Sequence, residues 1–114
     1  QEFGEQENIQ TLSANNKEDI KLKLLVKNNS LFLLHGYRLS NDQVITQSSY
    51  ADKSLLIATV KDTNKLRAFL RGLGDNIEVI APQKLRQYFV ELSERLFFAY
   101  QEEVVQQDRR LLSD

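Results

Sequence analysis

The segment Ile20–Lys27 alternates between apolar and mostly basic side chains, and this alternation constrains the fold more than any other feature of the chain. One face of it carries Ile20, Leu22, Leu24 and Val26, and the other carries Lys21, Lys23, Leu25 and Lys27. Successive side chains of a β-strand point to opposite faces, so a period of two predicts a strand with one buried face. We therefore expect a sheet that is covered by helices on one side, with the lysine-bearing side left open or in contact with a partner.

The rest of the chain supplies five further elements in a simple order. The patterns predict a short helix over 31–39, for which a buried strand is the alternative. They predict strands over 43–50, 54–61 and 76–81. Between the last two strands they predict a helix that is capped by Asp62 or Thr63 and stopped by Gly72 and Gly74. The order is strand, helix, strand, strand, helix, strand. This predicts an α+β fold with a ferredoxin-like βαββαβ antiparallel sheet.

A long helix is predicted to follow the last strand, from about residue 82. Pro82 suits its first turn, apolar residues recur every three or four positions, and no helix breaker precedes Ser113. About thirty residues of helix would measure roughly 45 Å, more than a four-stranded sheet can cover. We therefore predict that the surplus packs on a second copy, as a homodimer, or on another domain, through Leu96, Tyr100, Val104, Val105 and Leu111.

Composition places the chain among single-domain, water-soluble proteins. Its 114 residues suffice for one core, and it has no cysteine, so neither a disulfide nor a thiolate metal site can form. No apolar run approaches the roughly 20 residues that span a bilayer, so we expect a cytoplasmic protein without membrane contact. Residues 1–19 are polar and are predicted to be a linker or the tail of a preceding domain, ahead of a domain over 20–114. The start Gln1–Gly4 resembles a remnant of cloning, which suggests a fragment of a longer protein.

Charge is distributed unevenly along the chain. Residues 1–19 hold one lysine and five acidic groups, 20–88 hold eleven basic and five acidic groups, and 89–114 hold three basic and six acidic groups. The basic middle is either a patch for polyanions or, as we favour, a scatter of solubilising side chains. An alternative function is therefore nucleic-acid or anion binding through Lys21, Lys23, Lys27 and Arg86, although a salt bridge is the favoured interpretation for Arg86.

Residues for catalysis or metal binding are scarce. His35 is the only histidine and lies in an apolar stretch, and most acidic residues fall in the two end segments. The glycines of Gly72–Asp75 follow a helix rather than a strand, which is not the context of a phosphate-binding loop. We therefore predict that the chain is not an enzyme and has no catalytic residue, no metal site and no cofactor.

The stretch from Leu70 to Arg86 resembles the WCX domain, the C-terminal extension of WYL-domain bacterial transcriptional regulators. That family typically shows a helix that ends in glycine, a short strand of the type V-E-V, a proline, and a leucine-arginine pair that opens a helix. The corresponding residues are Gly74, Ile77–Val79, Pro82, Leu85 and Arg86. The likeness covers roughly residues 20–100, and the glycine-containing first helix departs from the family pattern.

This resemblance implies a parent protein with three parts, which are a DNA-binding winged helix, a WYL domain that senses a ligand, and the present module. Its implied role is to dimerise the regulator and to transmit or tune the effector response. The WYL domain holds the family's effector-binding residues, and the chain has no tryptophan to match the Trp-Tyr-Leu that names it. No effector site is therefore carried over to these residues.

Overall fold

The computed structural model describes residues 18–101. In this range the strands are β1 (Asp19–Lys27), β2 (Val44–Gln47), β3 (Lys53–Lys61) and β4 (Ile77–Ala81). The α-helices are α1 (Phe32–His35), α2 (Asn64–Gly72) and α3 (Gln83–Ala99), and single turns of 3₁₀-helix follow β1 and α2. The order of elements confirms the predicted βαββαβ arrangement with a helix added at its C-terminal end.

The four strands form one antiparallel sheet in the order β2-β3-β1-β4. The alternating strand β1 lies in the middle, where Leu24 pairs with Leu56 of β3 on one side and with Val79 of β4 on the other. The register shifts between Lys23 and Leu24, which marks a β-bulge against β4. This strand order is consistent with the ferredoxin-like fold that the sequence predicts.

The core lies between the sheet and its helices. Leu22, Leu24 and Val26 of β1 are almost completely buried, as the alternation requires. They pack with one apolar side chain or more from each helix, including Leu34 of α1, Leu66 and Leu70 of α2, and Leu85 of α3. Burial of a leucine or valine side chain contributes about 1.5–3 kcal/mol, so this shared face holds the helices on one side of the sheet.

Helix α2 begins and ends where its sequence predicts. The Thr63 Oγ1 accepts a hydrogen bond from the Leu66 N–H at 3.1 Å, which caps the first turn. After the helix, Gly74 has a φ of +59°, in the left-handed region that residues with a Cβ rarely adopt. The glycine thus turns the chain from α2 into β4.

Two predicted elements are shorter in the structure. The helix expected over 31–39 is confined to Phe32–His35, because Leu34 is its one buried residue and Gly36 follows at once. The strand expected over 43–50 ends at Gln47. There the Ser48 hydroxyl donates to the Lys53 carbonyl at 2.6 Å and accepts from the Tyr50 N–H at 3.0 Å, which folds the chain into a turn.

Helix α3 is also shorter than the predicted thirty residues. It has 17 residues and ends at Ala99. The Gln101 N–H then donates to the Phe98 carbonyl at 3.1 Å, a three-residue spacing that tightens the last turn. The residues of α3 from Ser93 onward are exposed, so the end of the helix extends beyond the core. Residues 102–114 lie outside the described residues.

Candidate interaction site

The first half of α3 is fixed to the domain. Leu85 is completely buried, and Tyr88 and Phe89 pack against the core. The Arg71 guanidinium donates a hydrogen bond to the Tyr88 hydroxyl at 2.6 Å, and the Arg67 guanidinium lies 4.5 Å from the centre of the Tyr88 ring. These contacts with α2 set the direction in which the rest of α3 projects.

The Arg67 guanidinium is itself held by a carboxylate. Its Nε and one Nη each donate to a different Asp62 oxygen at 2.8 Å, and both side chains are largely shielded from water. The hydrogen bonds to Asp62 raise the pKa of Arg67 above its usual value, and burial opposes this in part. The charge that faces Tyr88 is therefore permanent.

The second half of α3 exposes large apolar side chains to solvent. They form what we call the α3 apolar surface, which consists of Val90, Leu96, Phe97, Phe98 and Tyr100. Their exposed fractions run from 37% to 66%, and the Phe97 and Phe98 rings contact each other with centroids 5.8 Å apart. Exposed apolar side chains that lie together on a protein surface often mark an interaction site.

An apolar groove continues this surface toward the sheet. It lies between the end of α2, β4 and α3 and has a volume of about 440 Å³. Its lining includes Leu70, Ile77, Val79, Phe89, Leu92 and Leu96. Since Leu96 belongs to both the groove and the α3 apolar surface, the two can accept one partner together.

Arg86 lies at the rim of this groove and is already paired. Its guanidinium donates to the Glu78 carboxylate at 2.9 Å and to the Val79 carbonyl at 2.8 Å. The favoured interpretation of Arg86 as a salt-bridge residue is confirmed. An anion would have to compete with both acceptors, and the alternative role of Arg86 in anion binding stays a prediction.

The three lysines predicted to contact anions lie along β1 on the sheet face opposite the helices. Lys21 and Lys23 are exposed, whereas the Lys27 ammonium lies 3.4 Å from the Asp75 carboxylate. Because the Asp75 carboxylate partly neutralises it, Lys27 would attract a polyanion less strongly than a lysine without an acidic neighbour. Nucleic-acid binding by this face stays a prediction that depends mainly on Lys21 and Lys23.

Of the predicted partner interface, the structure describes Leu96 and Tyr100. Leu96 is 51% exposed on α3, and Tyr100, directly after the helix, is 66% exposed. Val104, Val105 and Leu111 lie outside the described residues. The sequence analysis missed the groove as well as Phe97 and Phe98. The three consecutive apolar residues Leu96, Phe97 and Phe98 could have indicated exposed apolar side chains, because three consecutive residues of a helix cannot all face one core.

Among residues 18–101, the ionisable groups show no cluster of the metal-binding type. His35 is exposed on α1, and no three His, Cys, Asp or Glu residues between 18 and 101 are grouped as metal ligands would be. The pKa of the Asp42 carboxyl is held well below its usual range. Hydrogen bonds from the Ser40 hydroxyl and from the Thr59 hydroxyl and N–H, together with the nearby Lys21, favour the charged form. This carboxylate fastens the loop before β2 to β3.

The fold is that of an α+β domain with exposed apolar side chains at the end of α3 and lysine side chains on the sheet face opposite the helices. The WCX domain family matches residues 18–97, which is most of the chain. The chain therefore belongs to the WCX domain family, whose members are associated with regulation. No curated protein matches the sequence in a direct comparison. Between residues 18 and 101, no helix has the length and apolar character that crossing a membrane requires.

Proposed function

We propose that the chain is the C-terminal dimerisation and regulatory module of a WYL-type, DNA-binding transcriptional regulator. Membership of the WCX family supports the regulatory setting. The rest of such a regulator, with its WYL and winged-helix domains, would precede this chain. The module would bring two regulators together and transmit the effector response between their domains.

The α3 apolar surface is the observation that carries this proposal. The exposed fractions of Leu96, Phe97, Phe98 and Tyr100 lie between 51% and 66%. These residues lie at the end of a helix whose first half is fixed to the domain. Aromatic side chains dominate the energetics of many interfaces because they bury a large area. A second copy that packs on this end of α3 would remove part of that area from water.

The contacts that fix the first half of α3 connect the proposed dimer interface to the sheet. Arg71 joins α3 to α2 through Tyr88, and Arg86 joins α3 to β4 through Glu78 and the Val79 carbonyl. A shift of α3 in the dimer must therefore move α2 and β4 or break these contacts. This coupling is what a module that tunes an effector response requires.

Amide hydrogen exchange at several protein concentrations tests the proposal. We expect amides near the end of α3, around Leu96–Tyr100, to become more protected as concentration rises, because the partner shields that part of the helix. Amides of β2, at the far edge of the sheet, serve as an internal control and should not change. Protection that rises in β2 but not in α3 would assign the dimer contact to a different surface.

A further inference from the structure

Helix α3 carries a stripe of uncharged, mostly apolar residues along one side, which we call the α3 stripe. Its members are Phe89, Val90, Ser93, Leu96, Phe97 and Tyr100. An α-helix turns about 100° per residue, so all of them lie within about 60° of the middle of the stripe. Glu91, Arg95 and Phe98 lie more than about 130° from it, on the opposite side of the helix. The Tyr100 N–H donates to the Leu96 carbonyl at 3.2 Å, so Tyr100 keeps a helical position.

The two halves of the α3 stripe have complementary shapes. In the first half, Phe89 and Val90 line the apolar groove beside β4, and Arg86 continues the same side of the helix at the rim. In the second half, Phe97 and Tyr100 lie outside the groove and are 60% and 66% exposed. One half therefore provides a recess and the other provides projecting aromatic rings.

The midpoint of the stripe is the small residue Ser93. Phe89 and Val90 precede it by four and three residues, and Leu96 and Phe97 follow it by three and four, so the apolar positions are symmetric about it. The Ser93 hydroxyl donates to the Val90 carbonyl at 2.7 Å and is therefore satisfied when water is removed. A small side chain at a crossing point lets two helices approach to the short end of the usual range, about 8–10 Å between axes.

We propose that two copies of the chain pack α3 against α3 in antiparallel directions, with the helices crossing at Ser93. This inference rests on the proposed dimer and specifies which residues meet in it. The second half of each stripe enters the groove of the other copy, next to the part of α3 that is fixed to the sheet. The residues that meet across the pair are Leu96 with Phe89, Phe97 with Val90, and Tyr100 with Arg86.

The charges around the groove suit an uncharged occupant. The rim has two arginines and two acidic residues, so the formal charges cancel; they are Arg71, Arg86, Asp75 and Glu78. The second half of the α3 stripe has no charged residue. The Arg86 guanidinium is already held by the Glu78 carboxylate at 2.9 Å, so the Tyr100 ring can cover it without leaving either charge unpaired.

Two other arrangements would leave apolar surface uncovered. A small apolar ligand would fill the groove, but Phe97 and Tyr100 would stay in water. A parallel pair of helices would place groove against groove and projecting half against projecting half, so no aromatic ring of one copy would enter the groove of the other. The antiparallel pair covers the groove and the projecting half together.

The adjacent residues Phe97 and Phe98 provide a matched test. Their exposed fractions of 60% and 63% are nearly equal, but Phe98 lies on the side of the helix away from the stripe. In sedimentation equilibrium, Phe97→Ser should raise the Kd of the dimer at least about tenfold, and Phe98→Ser should raise it less than about threefold. Both substitutions remove the contact between the two rings, so that loss does not distinguish them. Equal effects would overturn the antiparallel arrangement and leave the proposed dimer in place, whereas a wild-type chain that stays monomeric would overturn both.

A cysteine at the crossing point tests where the helices meet. Axes about 8–10 Å apart, less a Cα radius of about 2.3 Å for each helix, leave about 3.5–5.5 Å between facing Cα atoms. Disulfides join Cα atoms about 4.4–6.8 Å apart, so the two ranges overlap. The chain has no cysteine of its own. Under mild oxidation, Ser93→Cys should form a disulfide-linked dimer at least about tenfold faster than Arg95→Cys, which is also exposed but lies on the other side of α3. Equal rates would overturn the proposed crossing point.

A mixture of two cysteine variants tests the direction of the helices. Gln87 and Gln101 lie near opposite ends of α3, and both are exposed and outside the stripe. In the antiparallel pair, Gln87 of one copy lies nearly level with Gln101 of the other, whereas in a parallel pair they are about 21 Å apart along the axis. With a short bis-maleimide, we expect Gln87→Cys and Gln101→Cys to cross-link when mixed and neither to cross-link alone. A mixture that does not cross-link would overturn the arrangement, and links within each variant alone would show a parallel pair.

Discussion

The substitution Leu96→Gln should weaken the proposed dimer by an amount that follows from the exposure of this residue. Leu96 is 51% exposed, so about half of its side chain is left for a partner to cover. Full burial of a leucine contributes about 1.5–3 kcal/mol, and half burial contributes about half of that. A symmetric dimer contains the residue twice, so the loss is about 1.5–3 kcal/mol, or roughly a 10- to 150-fold higher Kd.

Sedimentation equilibrium over a dilution series measures this Kd for the wild type, for Leu96→Gln and for the control Arg95→Gln. Arg95 is exposed on the same turn of α3, and its replacement also introduces a glutamine, so the control tests for a general effect of the substitution. We expect the control to keep the wild-type Kd. Urea unfolding of each monomer shows whether the fold is retained. A dimer of equal strength in all three proteins would refute the argument that Leu96 lies in the interface.

Three further predictions concern the charged contacts. Arg67→Lys should lower the free energy of unfolding by about 1–2 kcal/mol, because lysine cannot make both hydrogen bonds to Asp62, and an unchanged thermal unfolding midpoint would contradict this. The pKa of Asp42 is lowered in the folded state, so the unfolded chain binds the proton more readily and stability falls as the pH drops below about 4. Asp42→Asn should therefore lose less stability in acid than the wild type, and identical pH profiles of urea unfolding would exclude the role of this carboxylate. Arg86→Gln should lower the free energy of unfolding, measured by chemical denaturation, by about 0.5–1.5 kcal/mol, because it removes the salt bridge to Glu78. The same substitution should leave the affinity for an oligonucleotide unchanged. A weaker affinity would show that Arg86 contacts the anion.

The order of elements could be read from the sequence because local patterns determine it. The alternation of Ile20–Lys27 predicted which face of β1 packs on the helices, although Leu25 on the opposite face is buried as well. Thr63 was one of two caps proposed for α2. The extents of elements were less predictable, because side-chain contacts set them. Ser48 ends β2 by bonding to Lys53, and α3 continues to Ala99, beyond the last residues that pack on the sheet.

The site was only partly predictable because it depends on contacts between distant residues. The periodicity of α3 indicated Leu96 as an apolar position, but periodicity cannot show where the sheet ends beneath a helix. The groove beside it requires α2, β4 and α3 to be in place together. The pairing of Arg86 with Glu78 likewise depends on how α3 leaves β4, although a salt bridge was the favoured interpretation from sequence.

The oligomeric state in solution tests most directly whether the chain is an assembly module. Light scattering coupled to size exclusion, over a concentration series at low and moderate salt, gives the mass of the particle without a label. We predict a mass that rises with concentration toward twice 13.2 kDa and depends little on salt, because the contact is apolar. A mass of 13.2 kDa at every concentration would contradict the proposal that the α3 apolar surface binds a second copy.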